Sequence, residues 1–304
     1  AQFRARFAMP IEKRRDPAAT AALRTLTSPF LLRRTKADKS LVPDLPPKVE
    51  QVAWAPLTRE QAQLYQAVVD QLLIDSQQAT GMKRRGLVLA ALTRLKQICN
   101  HPAHALGDGS KLAGRSGKLQ RFDELVTDLL DAGEQALVFT QFREMGMLLQ
   151  QHLADRFHQS VPFLHGGVPK ASRDHMVERF QAGTSGSPLL LVSLRAGGTG
   201  LNLTAASRVV HYDRWWNPAV EDQATDRAWR IGQERSVFVH KLVCQGTVEE
   251  RIDALINDKR QLADAVVGTT GEGWVSELDT DQLRDLVVLD TKALEHRPAD
   301  GGAR

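Results

Sequence analysis

The stretch PLLLVSLRAGGTGLNL (Pro188–Leu203) decides the fold. Its first half, PLLLVS (Pro188–Ser193), is apolar throughout, the pattern of a strand buried on both faces. Its second half, SLRAGGTGLNL (Ser193–Leu203), is rich in glycine and reads as the loop that leaves the strand. A strand buried on both faces needs helices on both faces, so its neighbours should alternate between the two periodicities.

They do so from Ser116 to about Val267. A helix from Ser116 carries Leu119, Phe122, Val126, Leu129 and Leu130 on one side. Strand ALVFT (Ala136–Thr140) follows a stop signal at Gly133, and a helix then leads to strand VPFLH (Val161–His165). Pro169 suits the first turn of the next helix. After Pro188–Ser193 come strand RVVHY (Arg208–Tyr212), a helix from Pro218 and strand SVFVHKLVC (Ser236–Cys244). Thr247 and Glu250 form a capping-box pattern before a long helix. The expected fold class is α/β, a parallel sheet with helices on both faces, whose ligands sit where loops leave the carboxyl ends of the strands.

The flanks differ. Residues 1–110 look helical and irregular. Within them LPPKVEQVAW (Leu45–Trp54) is extended, because Pro46 and Pro47 exclude helix. Thr58 and Gln61 make a capping box for a helix bearing Leu64, Tyr65, Val68, Val69, Leu72 and Leu73, and a second helix through LVLAALTRLKQIC stops near Asn100 and Pro102. Gly107 to Gly117 reads as a linker. The organisation expected is residues 1–110, a sheet-containing unit over 111–268, and an extension over 269–304, with disorder expected in the last dozen residues.

The chain has 304 residues, 42% hydrophobic and 25% charged, which suits a soluble globular protein. Two cysteines, Cys99 and Cys244, make no disulfide framework. No apolar run is long enough for a membrane span, and the basic start AQFRARFAMPIEKRR has no apolar stretch, so no membrane or secretory role is expected. The formal net charge of +4 is uneven: residues 1–48 hold eleven Lys/Arg against four Asp/Glu. Such an excess is either an electrostatic footprint for nucleic acid or a solvated face.

Three loops following strands carry the candidate chemistry. They are His165-Gly166-Gly167, the glycine loop to Leu203, and DRWWNP (Asp213–Pro218) running into QATDRAWRIGQ (Gln223–Gln233). Glycines after a strand let backbone amides approach a phosphate. Yet Leu201-Asn202 follow Gly200 where a phosphate-binding Lys-Ser/Thr pair would stand, and a plain glycine turn is the competing reading. At helical spacing, Gln223, Arg227 and Arg230 would share one face, where two guanidiniums clamp a polyphosphate or merely join a surface stripe with Asp226. Cys99, His101 and His104 lack a fourth nearby ligand, and no metal site is expected. Arg33, Arg34 and Lys36 meet either phosphate or acidic side chains.

In order along the chain these segments resemble the motifs of the Swi/Snf family of helicase-like DNA translocases. LVFTQF (Leu137–Phe142), SLRAGGTGLNL and QATDRAWRIGQ are similar to motifs IV, V and VI, and HYDRWWNP to the segment before motif VI. LRRTK (Leu32–Lys36), LPPK (Leu45–Lys48) and ICNHP (Ile98–Pro102) resemble signatures between the two motor lobes. The likeness reaches to about Leu278, and the bacterial HepA/RapA-like branch is the nearest in pattern.

The resemblance implies the RecA-like second lobe of an ATP-driven motor on double-stranded DNA, preceded by a mostly helical inter-lobe region. It implies ATP with Mg2+ as cofactor and the protein's own first lobe as partner. RNA polymerase or other DNA-bound proteins are further partners of such motors, and the HepA/RapA-like branch implies a cytoplasmic, nucleoid-associated location. Arg227 and Arg230 would be arginine fingers. Gly200, Asn202 and Gln223 would lie at the nucleotide. Gln141, His165, Gly166, Ser193 and Arg195 would lie near the DNA backbone, and Trp216 would either contact DNA or pack. Trp229 stands where the family often has histidine and is expected to face away from the arginines. The sequence has no GxxxxGK[ST] and no Asp-Glu pair ending an apolar strand. Those parts would belong to a first lobe preceding residue 1, and this chain alone would not hydrolyse ATP. The rival expectation is a non-catalytic RecA-like module that binds DNA or protein.

Overall fold

The computed structural model describes residues 3–14, 16–27, 45–184, 186–194, 196, 200–263 and 280–290. Six strands form one all-parallel sheet: β1 (Lys48–Ala55), β2 (Ala136–Thr140), β3 (Phe163–Leu164), β4 (Leu189–Ser193), β5 (Arg208–His211) and β6 (Val237–Cys244), in the order β1-β6-β5-β2-β4-β3. The central strands β2 and β4 are buried at every residue, as their unbroken apolar sequence requires.

Alternation splits the sheet into two faces. Ala136, Val138, Leu189, Leu191, Val210, Tyr212 and Leu242 join Leu119, Phe122, Val126 and Leu129 of α6 (Gly117–Asp131) and Met145, Leu149 and Leu153 of α7 (Arg143–Phe157). Leu137, Phe139, Leu190, Val192, Val209, Val237 and Val239 point the other way, onto Phe180 of α8 (Lys170–Gln181) and Ala224 of α9 (Pro218–Thr225). Each fully buried Leu, Val or Phe contributes roughly 1.5–3 kcal/mol against leaving it in water.

The extended segment at Leu45 becomes β1, and its eight residues pair with all eight of β6. The sheet therefore takes its edge strand from the first 110 residues. Glu50 of β1 fixes this pairing: Lys241 across the ladder bonds its carboxylate, and Lys48 lies at 2.6 Å. Beyond β1, Thr58 closes the expected capping box with Gln61 and starts α3 (Arg59–Gln78). α4 (Gly81–Asn100) returns antiparallel and ends where expected, before α5 (Pro102–Leu106). Tyr65, Val69 and Leu72 of α3 and Val88, Leu92 and Leu95 of α4 form a third core with α10 (Val248–Ala263) and α11 (Thr280–Val287).

The cap of α10 differs from the expected box. Glu250 accepts from the Gly246 amide at 2.6 Å, while the Thr247 hydroxyl donates to the Cys244 carbonyl at 2.7 Å. Near the start of the chain, the π-helical turn Arg4–Ala8, α1 (Met9–Arg14) and α2 (Pro17–Thr27) pack on one another. LRRTK and the terminal dozen residues lie outside the described residues.

Candidate functional site

A parallel sheet sends every strand's carboxyl end to one edge. Gln141 follows β2, Ser193 ends β4, His165-Gly166 follow β3, and Asp213–Trp216 follow β5, so the structure collects these candidates along that edge. Arg195 lies outside the described residues.

The arginine segment is not the continuous helix that its spacing suggests. α9 ends at Thr225, and Asp226 to Gly232 form turns. The carbonyls of Arg227 and Ala228 are taken up by bonds from outside this segment. Leu203 N donates to the Arg227 carbonyl at 2.9 Å, and Gln233 Nε2 donates to the Ala228 carbonyl at 3.1 Å. The amides of Arg227 and Ala228 instead make tightened bonds to Ala224 and Thr225. Gly232, at φ 96, then reverses the chain as a side-chain-bearing residue would not. Gln223 remains on α9 and exposed, so it does not share a helix face with the arginines.

Gln233 locks this turn to the segment that follows the glycine loop. Its buried amide also donates to the carbonyls of Thr204 at 3.0 Å and Ala206 at 2.9 Å, and its Oε1 accepts from Arg235 N at 2.9 Å. His211 at the end of β5 bonds the Thr225 hydroxyl at 2.9 Å. Trp229 turns away from the arginines: its indole donates to the Pro46 carbonyl at 2.8 Å, and Lys48 stacks over its ring.

The result leaves Arg227 in an unusual state. Its side chain is 6% exposed, and its Nε has no partner among the described residues. Burial and the neighbouring Arg230 charge pull Arg227 below its ordinary pKa, with Asp226 opposing. Arg230 is exposed. Two adjacent guanidiniums, one with an orphan donor, fit an anionic group with several oxygens. On the same side, Gly200 holds φ 46, and Gly200 and Asn202 are exposed.

The opposite half of the edge is a buried polar network that sequence reasoning missed. Asp213 accepts from Gln141 N at 2.9 Å, from Asn100 Nδ2 at 3.2 Å and from the Thr140 hydroxyl at 2.5 Å. Asn100 Oδ1 accepts from Lys118 Nζ at 3.1 Å, and Lys118 pairs with Glu249 at 2.5 Å, both fully buried. Burial opposes the Lys118 charge, yet Glu249 holds its pKa above the ordinary value. Next to this chain Arg214 bonds Glu221 at 2.9 Å and also pairs with Asp253. Burial pushes the Glu221 carboxyl up, but Arg214 outweighs it and keeps the pKa low.

Two candidates are tied into this network. Gln141 is engaged at both ends of its amide, by Lys96 Nζ at 3.2 Å and by the Arg214 carbonyl at 3.1 Å. Trp216 packs against the α3–α4 core, with Lys96 4.9 Å from its ring centre. Burial lowers Lys96 to about 8, against Asp213 and other acids that raise it. His165 is half-exposed, with Nδ1 accepting from Gly167 N at 3.0 Å. Ser193 is buried. His101 uses both ring nitrogens, toward Ala103 N and the Leu112 carbonyl, in capping α5. Among the described residues, one group has metal-ligand geometry: Cys99, Cys244 and Glu249. Two thiols and a carboxylate already committed to Lys118 do not suit the hard Mg2+ ion.

The fold and the edge define a RecA-like second lobe of a helicase-type motor. Residues 117–232 match the helicase conserved C-terminal domain, and residues 1–104 match the SNF2-related domain. A solved C-terminal domain of the Sulfolobus solfataricus SWI2/SNF2 ATPase is 40% identical with a TM-score of 0.69, covering 80% of this chain and 99% of that one. The core of the same ATPase, solved in complex with double-stranded DNA, is 43% identical with a TM-score of 0.72, covering 95% of this chain and 60% of that one. The chain belongs to the SWI2/SNF2 family.

Among curated relatives, YwqA of Bacillus subtilis, an ATP-dependent helicase/translocase by name, is 47% identical over 96% of this chain. The human DNA excision repair protein ERCC-6 is 35% identical over 81% of it. The chain spans 31% of the first relative's length and 17% of the second's. No described helix is long and apolar enough to cross a membrane.

Proposed function

We propose that this chain is the second motor lobe of an ATP-dependent translocase on double-stranded DNA. One observation carries the reading: the Leu203–Arg227 bond and the Gln233 clamp hold a glycine loop against a turn bearing Arg227, whose buried guanidinium retains an unpaired donor. A cation held ready without an internal partner suits charge that arrives only with a ligand, as in the transition state of phosphoryl transfer.

Arg227 and Arg230 act as arginine fingers toward the γ-phosphate of ATP bound mainly by the first lobe. Gly200, Asn202 and Gln223 face the nucleotide. The first lobe supplies the phosphate cradle and the Mg2+ carboxylate, since no GxxxxGK[ST] occurs in this sequence. Taken alone, this chain has negligible ATPase activity. His165, Gly166 and Ser193 place backbone and polar groups along the DNA path, with Arg195 beside them in sequence. Gln141 and Trp216 shape that path from within. RNA polymerase and other DNA-bound proteins are the obstacles such a motor would displace, in the cytoplasmic nucleoid.

The test is the ATPase rate of the full-length protein with and without double-stranded DNA, together with displacement of a third strand from a triplex. Stimulation by duplex and strand displacement without unwinding are expected. DNA binding without any stimulation would support a non-catalytic module instead.

A further inference from the structure

The α3–α4 hairpin turns at Ala79-Thr80, and α4 then opens on Gly81-Met82-Lys83-Arg84-Arg85, a poor way to begin a helix. α4 has no acidic residue in its first turn, and its N-cap Thr80 makes no side-chain cap bond. Free amides and the helix dipole already place partial positive charge there, and three consecutive cations add to it. Lys83 and Arg85 are exposed, and neither has an ion pair among the described residues. Met82 beside them is 82% exposed. Lys83 and Arg85 thus add positive charge at this helix end with no ion pair of their own among the described residues.

The tip is not isolated. Arg94 is exposed three turns along α4, on the same helix face as Lys83 and about 16 Å away. Its charge reaches His104, whose ring lies 4.8 Å from that of Phe142, the residue after Gln141. Exposed cations therefore stand at both ends of this helix face, Lys83 at the tip and Arg94 three turns along, with Leu87 and Ala90 between them. Successive residues on a helix point about 100° apart, so Lys83, Arg84 and Arg85 fan around the tip. A fan of cations at the tip and a further one three turns away suit an extended row of anions better than one carboxylate. Duplex DNA carries one charge per about 1.7 Å, so the separation of Lys83 and Arg94 spans roughly ten phosphate charges.

We propose that the α3–α4 hairpin is an accessory contact for the phosphate backbone of double-stranded DNA that extends beyond the strand-end edge. The proposal rests on the DNA-motor reading above.

The test uses the full-length protein and its Lys83→Gln/Arg85→Gln variant, with random-sequence duplexes either just filling the motor or extending well past it. On the long duplex, the slope of log K against log salt should fall by up to about 1.8, and binding should weaken roughly tenfold near 0.1 M salt. Short-duplex binding and thermal stability should stay unchanged, or stability should rise slightly. An unchanged slope on the long duplex, while the parent protein binds DNA, would overturn the hairpin contact alone. A clear drop in melting temperature would mark these cations as structural and overturn it as well. Loss of binding to polyglutamate but not to duplex would assign the patch to an acidic protein. A parent protein that binds no DNA would overturn the underlying reading and this one together.

Discussion

Leu203 donates its amide to the carbonyl of Arg227 at 2.9 Å, and that single bond joins the glycine loop to the arginine turn. A displacement of Leu203 is therefore felt at the Arg227 backbone. The Gln233 side chain reinforces the link by collecting the carbonyls of Thr204, Ala206 and Ala228. Gln233→Ala is expected to leave these buried carbonyls short of donors, at about 1–3 kcal/mol. ATPase kcat in the full-length protein should fall at least tenfold while affinity for DNA holds. Equal loss of DNA affinity would mean that Gln233 supports the fold at large and does not position the arginines.

The Lys118–Glu249 pair is fully buried, which makes its two halves unequal to their sum. Removing one partner strands the other charge, so Lys118→Met should cost about 3–5 kcal/mol in chemical denaturation. Lys118→Met combined with Glu249→Gln should cost less than Lys118→Met alone, because Gln still accepts from Cys244 N while no bare charge remains. Strictly additive losses would contradict this.

Gly117 is required by space. A Cβ built there lies 1.9 Å from the Pro56 carbonyl oxygen, a backbone atom that cannot swing aside. Gly117→Ala should destabilise by roughly 1–3 kcal/mol or more through forced backbone shifts, although alanine is the better helix former. A neutral or raised melting temperature would show that α6 and the end of β1 can separate freely.

The sheet and its flanking helices were legible because their signals are local. The unbroken apolar runs at Leu189–Ser193 and Ala136–Thr140 and the Thr58–Gln61 box depend on near neighbours in sequence. The membership of Lys48–Ala55 in that sheet was not legible, since its partner β6 begins at Val237. The helix expected through Arg227 failed for the same reason. Its residues have adequate helical spacing, but the turn found there is held by Leu203 and Gln233 from elsewhere in the chain. Lys96, Lys118, Arg214 and Asp213 look like surface charges in sequence, yet all four are buried in one polar network. The one local hint was Lys96 and its flanks, a charge set within the apolar face of LTRLKQIC.

Acid should weaken the fold in a definite window. Burial holds His104, His211 and His240 near pKa 4, below their ordinary 6.5. A histidine that resists its proton when folded accepts it more readily when unfolded, so each takes stability away as pH falls from about 6.5 to about 4. Glu50, held at about 2 because Lys241 and Lys48 outweigh its burial, adds a second loss from about 4.5 downward. Melting temperature should therefore decline from pH 7 to pH 4. His211→Gln should flatten part of the upper limb, and Glu50→Gln should differ most from the parent above pH 4.5. A flat profile across this range contradicts the burial of these groups.

The most direct test of the central claim is the DNA-stimulated ATPase rate of the full-length protein carrying Arg227→Ala or Arg230→Ala. An arginine finger is worth about 10³–10⁵ in rate, so each variant should lose most of its turnover while still binding DNA and melting near the parent temperature. Unchanged turnover in both variants would contradict the account.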